Sequence, residues 1–160
     1  MTIRMPVYQF KREQKLNTTM EEAWDFISNP TNLKTITPEH MGFNITSGTL
    51  PNKMHEGQII KYKVKPLLGI SMSWVTEIAH VKEGLYFVDN QLHGPYKLWY
   101  HEHTLVPMTD GVLMKDTITY KPPIGFLGAI INYVIIKKEL RNIFNFREKK
   151  LVHLFGPTNN

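Results

Sequence analysis

Apolar and polar residues alternate over residues 8–16, a pattern typical of a β-strand with one buried face. Beyond this strand, Thr18 and Thr19 each stand three residues before a glutamate, which is the spacing of a helix-capping box. The helix that follows ends at Pro30, and a second short helix ends at Pro38. The sequence therefore predicts one strand and then two short helices.

Six further strands are predicted between residues 43 and 120, separated by short turns that contain Gly, Pro, Asn or Asp. Their predicted bounds are 43–49, 57–65, 70–80, 85–93, 97–107 and 112–120. Because the links are short, the strands are expected to form an antiparallel meander. The alternation puts Lys61, Lys63, Glu77 and Lys115 opposite the apolar residues, so one face is wet and the other must be covered.

The cover is a long helix predicted from Phe126 to about Leu154, and Gly156 with Pro157 ends it. Apolar residues recur along it at spacings of three and four, namely Leu127, Ile130, Ile131, Val134, Leu140, Ile143, Phe144, Leu151 and Leu154. Such a helix is on the order of 40 Å long, enough to cross a whole curved sheet. The predicted fold class is α+β, a curved seven-stranded antiparallel sheet wrapped around a long C-terminal helix.

Composition narrows the class of protein. The chain has 160 residues, 42% hydrophobic and 21% charged, which fits one domain over residues 1–160 with a full core. It has no cysteine, and this excludes disulfides, thiolate catalysis and cysteine-ligated zinc or iron–sulfur sites. Residues 1–15 carry charge every few positions and no apolar run, so we expect no secretory signal and a cytoplasmic protein.

The net charge of +5 is concentrated near the C-terminus. Residues 137–150 hold two acidic side chains and six basic ones, Lys137, Lys138, Arg141, Arg147, Lys149 and Lys150. They form either the solvated outer face of the helix or a basic surface that touches a membrane. The apolar run at 124–136 has 13 residues, and a transmembrane helix needs about 20, so no span is predicted. No motif for nucleic-acid binding is present.

Two histidines in one predicted strand are the main candidates for chemistry. His101 and His103 project to the same face as Trp99 and Leu105, and because those two are apolar we place this face inward. A hairpin with the next strand brings Asp116 to the same interior. Three interpretations stay open: mutual hydrogen bonding in a partly polar core, a polar anchor for a ligand, or acid–base catalysis or a metal site.

The preceding strand has two alternative inner faces. Asp89 and Gln91 lie on one face, Val88 and Leu92 lie on the other, and periodicity does not decide between them. The side chains that serve equally as cavity wall or plain core are Tyr62, Met72, Trp74, Tyr120 and Phe144. Four histidines are expected on the surface, namely His40, His55, His80 and His153.

Residues 32–38 and 42–43 resemble the segment between the short helices and the second strand of START-like (SRPBCC) ligand-binding proteins. Residues 91–103 (QLHGPYKLWYHEH) resemble the hairpin of an uncharacterised bacterial branch of that superfamily, sometimes labelled cell-division inhibitor or polyketide cyclase/dehydrase-like. The likeness continues into residues 114–116 and 123–125. It implies the helix-grip fold, with a cavity between sheet and C-terminal helix for an apolar or amphipathic small molecule.

The resemblance also favours the face of Phe87, Asp89 and Gln91 as the inner one. The oxygenase subunits of the superfamily are excluded because the cysteine-bearing Rieske motif is missing. The expected function is binding, extending to transport, of a hydrophobic or amphipathic molecule such as a lipid or polyketide. The expected ligand-binding residues are Trp74, Gln91, Trp99, His101, His103, Asp116, Tyr120 and Phe144.

Two other functions remain open. One is an enzyme of the cyclase, dehydratase or hydrolase type, with His101, His103 and Asp116 as its catalytic candidates. The other is a membrane-peripheral or partner-binding protein that uses the basic helix. No cofactor, no bound metal and no nucleic-acid partner are expected, and the oligomeric state is left open.

Overall fold

A computed structural model describes residues 6–123 and 128–158 of the chain. Seven strands of these residues form one curved antiparallel sheet in the order β1-β7-β6-β5-β4-β3-β2. The strands are β1 (Tyr8–Leu16), β2 (Asn44–Ile45), β3 (Ile59–Leu67), β4 (Ile70–Lys82), β5 (Tyr86–His93), β6 (Leu98–Met108) and β7 (Gly111–Lys121). The predicted meander is confirmed, and β1 forms one edge of the sheet by pairing with β7.

Short helices follow β1, and a long helix ends the chain. The helical elements are α1 (Met20–Ile27), the 3₁₀ segments Pro30–Lys34 and Glu39–Met41, α2 (Gly128–Ile131), a π-helical turn (Asn132–Ile136) and α3 (Lys137–Phe155). We call residues 128–155 together the C-terminal helix. Together with the curved sheet, this helix confirms the predicted α+β helix-grip architecture. No helix of the described residues is both long and apolar enough to cross a membrane.

Of the two candidate helix caps, Thr19 is the one that acts on the backbone. Its hydroxyl oxygen accepts a hydrogen bond from the Glu22 backbone N–H at 3.2 Å, which satisfies one of the free donors at the start of α1. The predicted second short helix is present as a five-residue 3₁₀ segment, Pro30–Lys34. Pro38 disfavours helical backbone in the residue before it, which leaves too little chain for a longer helix.

The second strand is much shorter than the predicted 43–49. Only Asn44 and Ile45 pair with β3. The backbone N–H groups of Thr46 and Ser47 then both point to the carbonyl oxygen of Lys61, at 2.8 and 3.1 Å. Two successive donors on one acceptor cannot continue a regular ladder, so β2 ends there.

The apolar face of the C-terminal helix agrees with the prediction at Leu140, Phe144 and Leu151 and differs from it elsewhere. Its buried row is Ile136, Leu140, Phe144, Arg147 and Leu151. Ile130 and Val134 are exposed, because the π turn adds a residue between the two halves of the helix and rotates the row. Leu154 is also exposed, since Phe155 takes the position four residues beyond Leu151. The predicted start at Phe126 and Leu127 lies outside the described residues.

Two apolar clusters fill the space between the sheet and the helices. The first, which we call the α1 cluster, consists of Leu16, Ala23, Trp24, Ile27, Ile36, Met54, Ile60, Ile78, Phe87, Leu105, Val112, Met114 and Leu151. The second, the aromatic cluster, consists of Met41, Val64, Trp74, Tyr96, Ile118, Tyr120, Ile136, Leu140 and Phe144.

Polar residues separate these two clusters. On β7, Asp116 stands between Met114 of the α1 cluster and Ile118 of the aromatic cluster. On α3, Arg147 likewise stands between one buried residue of each cluster. We call the charged and imidazole side chains of this region the polar layer: Asp89, His101, His103, Asp116 and Arg147.

Candidate functional site

A cavity of about 140 Å³ lies between the sheet and the C-terminal helix. Its wall is mostly apolar and aromatic, and its polar end is formed by members of the polar layer. Five of the predicted ligand-binding residues line it: Trp74, Trp99, His101, His103 and Phe144. An apolar chamber with a few convergent polar groups is the usual form of a small-molecule site.

Strand alternation and register bring the polar layer together. On β6, His101 and His103 point inward with Leu105, and each histidine is only 6% exposed. On the two neighbouring strands, Asp89 of β5 pairs with His101, and Asp116 of β7 pairs with His103. The inward placement predicted for β6 and β7 is confirmed, because side chains two residues apart on a strand share a face.

Asp116 lies on the side of both imidazoles that faces away from the cavity. Its Oδ1 lies 2.9 Å from His101 Nε2 and 2.9 Å from His103 Nδ1. Asp116 is 1% exposed and does not itself line the cavity. The predicted contact between this carboxylate and a buried histidine therefore exists, and one oxygen serves two rings.

Asp89 holds the near side of the same imidazoles. Its Oδ2 lies 2.9 Å from His103 Nε2 and 3.6 Å from His101 Nδ1. The first separation is a hydrogen bond, and the second is too long for one. Asp89 lines the cavity, and with Phe87 it identifies the inner face of β5 that periodicity alone left open.

Arg147 is the member of the layer that sequence reasoning missed. It was counted with the basic helix surface, but it is 8% exposed and its Nη1 lies 3.4 Å from Asp116 Oδ1. Its guanidinium also lies 4.6 Å from the centre of the Phe144 ring. The sequence does carry a signal for this placement, because Arg147 stands in the helical row of Leu140, Phe144 and Leu151.

The two histidines have opposite electrostatic environments. Burial lowers the pKa of His101, the charge of His103 lowers it further, and hydrogen bonding to Asp116 does not compensate. Burial would also lower the pKa of His103, but hydrogen bonds to both Asp116 and Asp89 raise it above its usual value. Burial thus favours the neutral form of His101, whereas His103, whose two ring nitrogens both lie 2.9 Å from a carboxylate oxygen, is the ring that holds the extra proton.

Both carboxylates of the layer are ionised. Burial would raise the pKa of Asp116, but hydrogen bonds from His101 and His103 and the charges of His103 and Arg147 hold it far below its usual range. The same competition lowers the pKa of Asp89, with the His103 hydrogen bond as the largest favourable contribution. Two anions then face two cations, which is how a buried charged cluster avoids a large desolvation penalty.

The neutral His101 has a defined chemistry. Its Nε2–H donates to Asp116 Oδ1, so its Nδ1 carries a free lone pair on the cavity side. A nitrogen of this kind accepts a proton or a hydrogen bond, or it ligates a metal ion. Nearby, the Tyr62 hydroxyl and Thr76 Oγ1 lie 3.2 Å apart and also line the cavity. Tyr62 was a predicted candidate for the cavity wall, whereas Thr76 was not predicted there.

Two other predicted site residues have structural partners. The Gln91 amide donates to the Tyr96 carbonyl at 2.7 Å and accepts from its N–H at 3.3 Å, so it closes the turn before β6. The Tyr120 hydroxyl donates to Asn132 Oδ1 at 2.6 Å. Neither Gln91 nor Tyr120 lines the cavity.

No protein-family model matches the sequence, and no curated protein matches it. Solved structures do match. A Chromobacterium violaceum protein is similar over 93% of this chain and 98% of its own, with a TM-score of 0.66 and 16% identity. The ginseng (Panax ginseng) major latex-like protein 151 matches over 94% and 99%, with a TM-score of 0.65 and 10% identity.

A third similar structure is the di-domain ARO/CYC StfQ of the steffimycin biosynthetic pathway. The match covers 94% of this chain and 53% of StfQ, with a TM-score of 0.65 and 8% identity. At such identities the likeness concerns the fold, and a shared fold does not carry a shared function. The chain has the helix-grip fold that the sequence resemblance implied, a curved seven-stranded antiparallel sheet with a long C-terminal helix.

Proposed function

We propose that the protein binds a small hydrophobic or amphipathic molecule in the cavity between the sheet and the C-terminal helix. The observation that carries the proposal is an apolar chamber with one polar end, at Asp89, His101 and His103. The fold supports it, because major latex-like protein 151 and an ARO/CYC protein share this architecture. A chamber of about 140 Å³ would hold only part of a larger molecule such as a lipid or polyketide.

The cavity suggests a ligand size and polarity. Its volume of about 140 Å³ is near that of an engineered apolar cavity of ~150 Å³ that takes benzene. The polar end presents an ionised Asp89 and the His101 Nδ1 lone pair, both of which accept hydrogen bonds. The preferred occupant is therefore a ring or short chain that ends in a neutral donor such as a hydroxyl.

Three matched probes test this proposal on chelator-treated protein, with Trp74 and Trp99 as intrinsic fluorophores. Benzene supplies the ring alone, phenol adds a donor, and benzoate adds a negative charge. Phenol should bind roughly five- to tenfold more tightly than benzene, because one additional hydrogen bond contributes about 1 kcal/mol to the free energy of binding. Benzoate should bind more weakly than phenol, because its charge would face Asp89 and the two cations of the layer, His103 and Arg147, are already paired with carboxylates.

Asp89→Asn tests the polar end, and Asp110→Asn, the same change in an exposed turn, is its control. The first should reduce the preference for phenol over benzene, and the second should leave it unchanged. Equal binding of phenol and benzoate, or no binding of any probe, would contradict the proposal. If the probes bind as expected, native mass spectrometry of protein purified from its own host would identify the natural ligand.

A second candidate function is proton abstraction from an enolisable ligand, as a cyclase requires. The observation that favours it is the pairing of the cavity-facing His101 Nδ1 with Asp116 on the opposite nitrogen, which is the arrangement of a base and its orienting group. Deuterium exchange at the central carbon of acetylacetone, followed by NMR, tests it without a known substrate. His101→Gln should slow exchange ~10²-fold or more while phenol still binds. An unchanged rate would remove this candidate.

A third candidate is contact with a membrane surface through the start of the C-terminal helix. Ile130, Tyr133 and Val134 are exposed just before the exposed Lys137 and Lys138, a combination typical of interfacial helices. Reversal of Lys137, Lys138 and Arg141 to Glu should then weaken binding to anionic vesicles at least tenfold, since each basic residue contributes about 1 kcal/mol there. Unchanged partitioning would exclude this surface.

A further inference from the structure

We propose that Asp89, His101 and His103 bind a divalent first-row transition metal ion at the polar end of the cavity. The donor atoms are Asp89 Oδ2, His101 Nδ1 and His103 Nε2, which all lie within 4.8 Å of one another. The ligand binding proposed above does not require this ion. Sequence analysis kept a metal as one interpretation of the two histidines, with Asp116 as the carboxylate, whereas the geometry points to Asp89.

The separations suit metal–ligand bonds. For bonds of about 2.05 Å, the 2.9 Å between Asp89 Oδ2 and His103 Nε2 corresponds to an angle of about 90° at the ion, and the 3.6 Å to His101 Nδ1 to about 120°. The third pair, His101 Nδ1 and His103 Nε2, lies within 4.8 Å, and both nitrogens bind one ion when they are no more than about 4.1 Å apart. Because all three residues line the cavity, the remaining positions face it.

Asp116 completes the arrangement from behind. The ring nitrogens that point away from the proposed ion, His101 Nε2 and His103 Nδ1, both lie 2.9 Å from Asp116 Oδ1. Histidines that ligate metals almost always donate their second N–H to such a carboxylate, because this fixes the tautomer and the ring orientation. Here one carboxylate orients two rings so that both free nitrogens converge on Asp89.

A metal-free hydrogen-bonded cluster is the competing explanation, and it accounts for less. It explains the 2.9 Å contact between His103 Nε2 and Asp89, whose proton the ion would replace. It does not explain why His101 Nδ1 faces the same carboxylate oxygen at a distance too long for a hydrogen bond.

Charge and donor type define the class of ion. Two imidazoles and one carboxylate suit Zn²⁺, Co²⁺ or Fe²⁺, whereas Mg²⁺ and Ca²⁺ prefer oxygen ligands. With both rings neutral, a divalent ion and Arg147 carry three positive charges against two carboxylates. The remaining charge favours an anionic ligand, such as hydroxide or an ionised oxygen of the cavity's occupant. The metal-bound site would therefore prefer an anionic ligand, whereas the metal-free site prefers a neutral hydrogen-bond donor.

The experiment titrates Co²⁺ into chelator-treated full-length protein and follows visible absorption, then measures Zn²⁺ affinity by competition and calorimetry. The expected result is one Co²⁺ per chain, with bands of a four- or five-coordinate ion, and displacement by Zn²⁺. His101→Gln and Asp89→Asn should each lower Zn²⁺ affinity more than 100-fold. Asp116→Asn, a positioning change, should lower it 10- to 100-fold. His153→Gln, on the exposed end of α3, should leave it unchanged.

Absence of a one-to-one complex, or equal Zn²⁺ affinity in wild type and Asp89→Asn, would overturn the metal site. Circular dichroism of each variant separates lost ligation from lost folding, and Asp89→Asn keeps the size of the side chain. Phenol binding by the metal-free protein tests the cavity separately, so the two proposals can fail independently. Benzoate binding that strengthens after Zn²⁺ is added would support the site, because its carboxylate then meets the ion.

Discussion

The α1 cluster and the aromatic cluster lie on opposite sides of the same polar layer but leave very different amounts of space. Eight of the nine buried residues of the aromatic cluster line the cavity, against four of the thirteen of the α1 cluster. Beside the α1 cluster and the polar layer, the second void has only about 10 Å³, room for about one water. One side of the layer is therefore packed as a core and the other is open as a chamber.

Side-chain shape explains the contrast. The α1 cluster is mostly aliphatic, and branched side chains interdigitate closely around a short helix. In the aromatic cluster, Trp74 meets Tyr62, Tyr96 and Trp99 at ring-centre separations of 5.9, 5.7 and 5.3 Å. Large, rigid rings in these arrangements leave a space between them rather than fill it. Close packing and the proposed binding function thus lie in different halves of one interior, and this arrangement can be tested.

The largest loss of stability is expected in the polar layer, where the two halves of the interior meet. Asp116→Ala removes the carboxylate that both histidines and Arg147 share, and it leaves a buried guanidinium without its partner. Loss of one partner from such a cluster costs about 3–5 kcal/mol in the free energy of unfolding. Denaturant titration measures it. Asp116→Asn, which keeps the shape but not the charge, should cost less, and equal losses would show that the layer needs the charge alone and not the shape.

A pair of leucines on one helix compares the two halves directly. Leu151 belongs to the α1 cluster and Leu140 to the cavity wall, and they are 0% and 3% exposed. Leu→Ala in a core costs about 2–5 kcal/mol. We expect Leu151→Ala near the upper end of this range and Leu140→Ala about 1 kcal/mol lower, because a side chain that borders a void has fewer contacts to lose.

Thermal and denaturant unfolding measure both leucine variants, and the phenol titration adds a second readout. Only Leu140→Ala should change phenol affinity, since only Leu140 lines the large cavity. A greater loss of stability at Leu140 than at Leu151 would mean that the chamber, not the α1 cluster, is the better-packed half.

Sequence pattern predicted the parts of this interior that repeat every two residues. Alternation identified the inner faces of β6 and β7, and with them the placement of His101, His103 and Asp116. It could not identify Asp89 as their partner, because Val88 on the opposite face of β5 is also buried. Burial on both faces removes the contrast on which a period-two argument depends.

The helix shows a different limit of prediction. The apolar residues spaced three and four apart included Val134, which is exposed, and left out Arg147, which fits the spacing but is basic. The π turn shifts the buried row by part of a turn, and no residue type in the sequence marks it. Arg147 was missed because a basic side chain in a basic segment is most often solvated, and only its partner Asp116 makes burial acceptable.

A smaller effect is expected at the far end of the aromatic cluster. Tyr120→Phe removes the hydroxyl that donates to Asn132 Oδ1 at 2.6 Å, and both residues are about 1% exposed. An unpaired buried acceptor costs about 1–3 kcal/mol. Unfolding at neutral pH measures the loss, and phenol affinity should not change because Tyr120 lies outside the cavity wall.

The same tyrosine gives the cluster a pH dependence. Burial, and to a lesser degree the charge of Tyr8, raises the pKa of Tyr120 to about 12. A group whose folded pKa is raised contributes stability in full below its unfolded pKa of about 10, and this stability is lost as the pH rises towards 12. The stability difference between wild type and Tyr120→Phe should therefore shrink from pH 10 upwards. A constant difference would contradict the assigned burial.

The smallest effect is expected at the start of α1, and it tests whether that helix belongs to the packed half alone. Thr19→Ala removes the side chain that caps the Glu22 N–H and should cost about 1 kcal/mol. Thr18→Ala is the matched control, because the Thr18 hydroxyl donates to the Glu22 carboxylate on the exposed surface, where such contacts contribute less than about 0.5 kcal/mol. Denaturant titration measures both variants.

Neither threonine variant should alter phenol binding, since Thr18 and Thr19 lie outside the cavity wall. A loss of phenol affinity in Thr19→Ala that the Thr18→Ala control does not show would mean that fraying of α1 reaches the chamber. The path for it exists, because Trp24 of α1 lies 6.3 Å from Phe87, and the Phe87 ring stacks on His103 at 4.2 Å. Unchanged affinity would instead mean that the polar layer insulates the chamber from the helix that stabilises the opposite half.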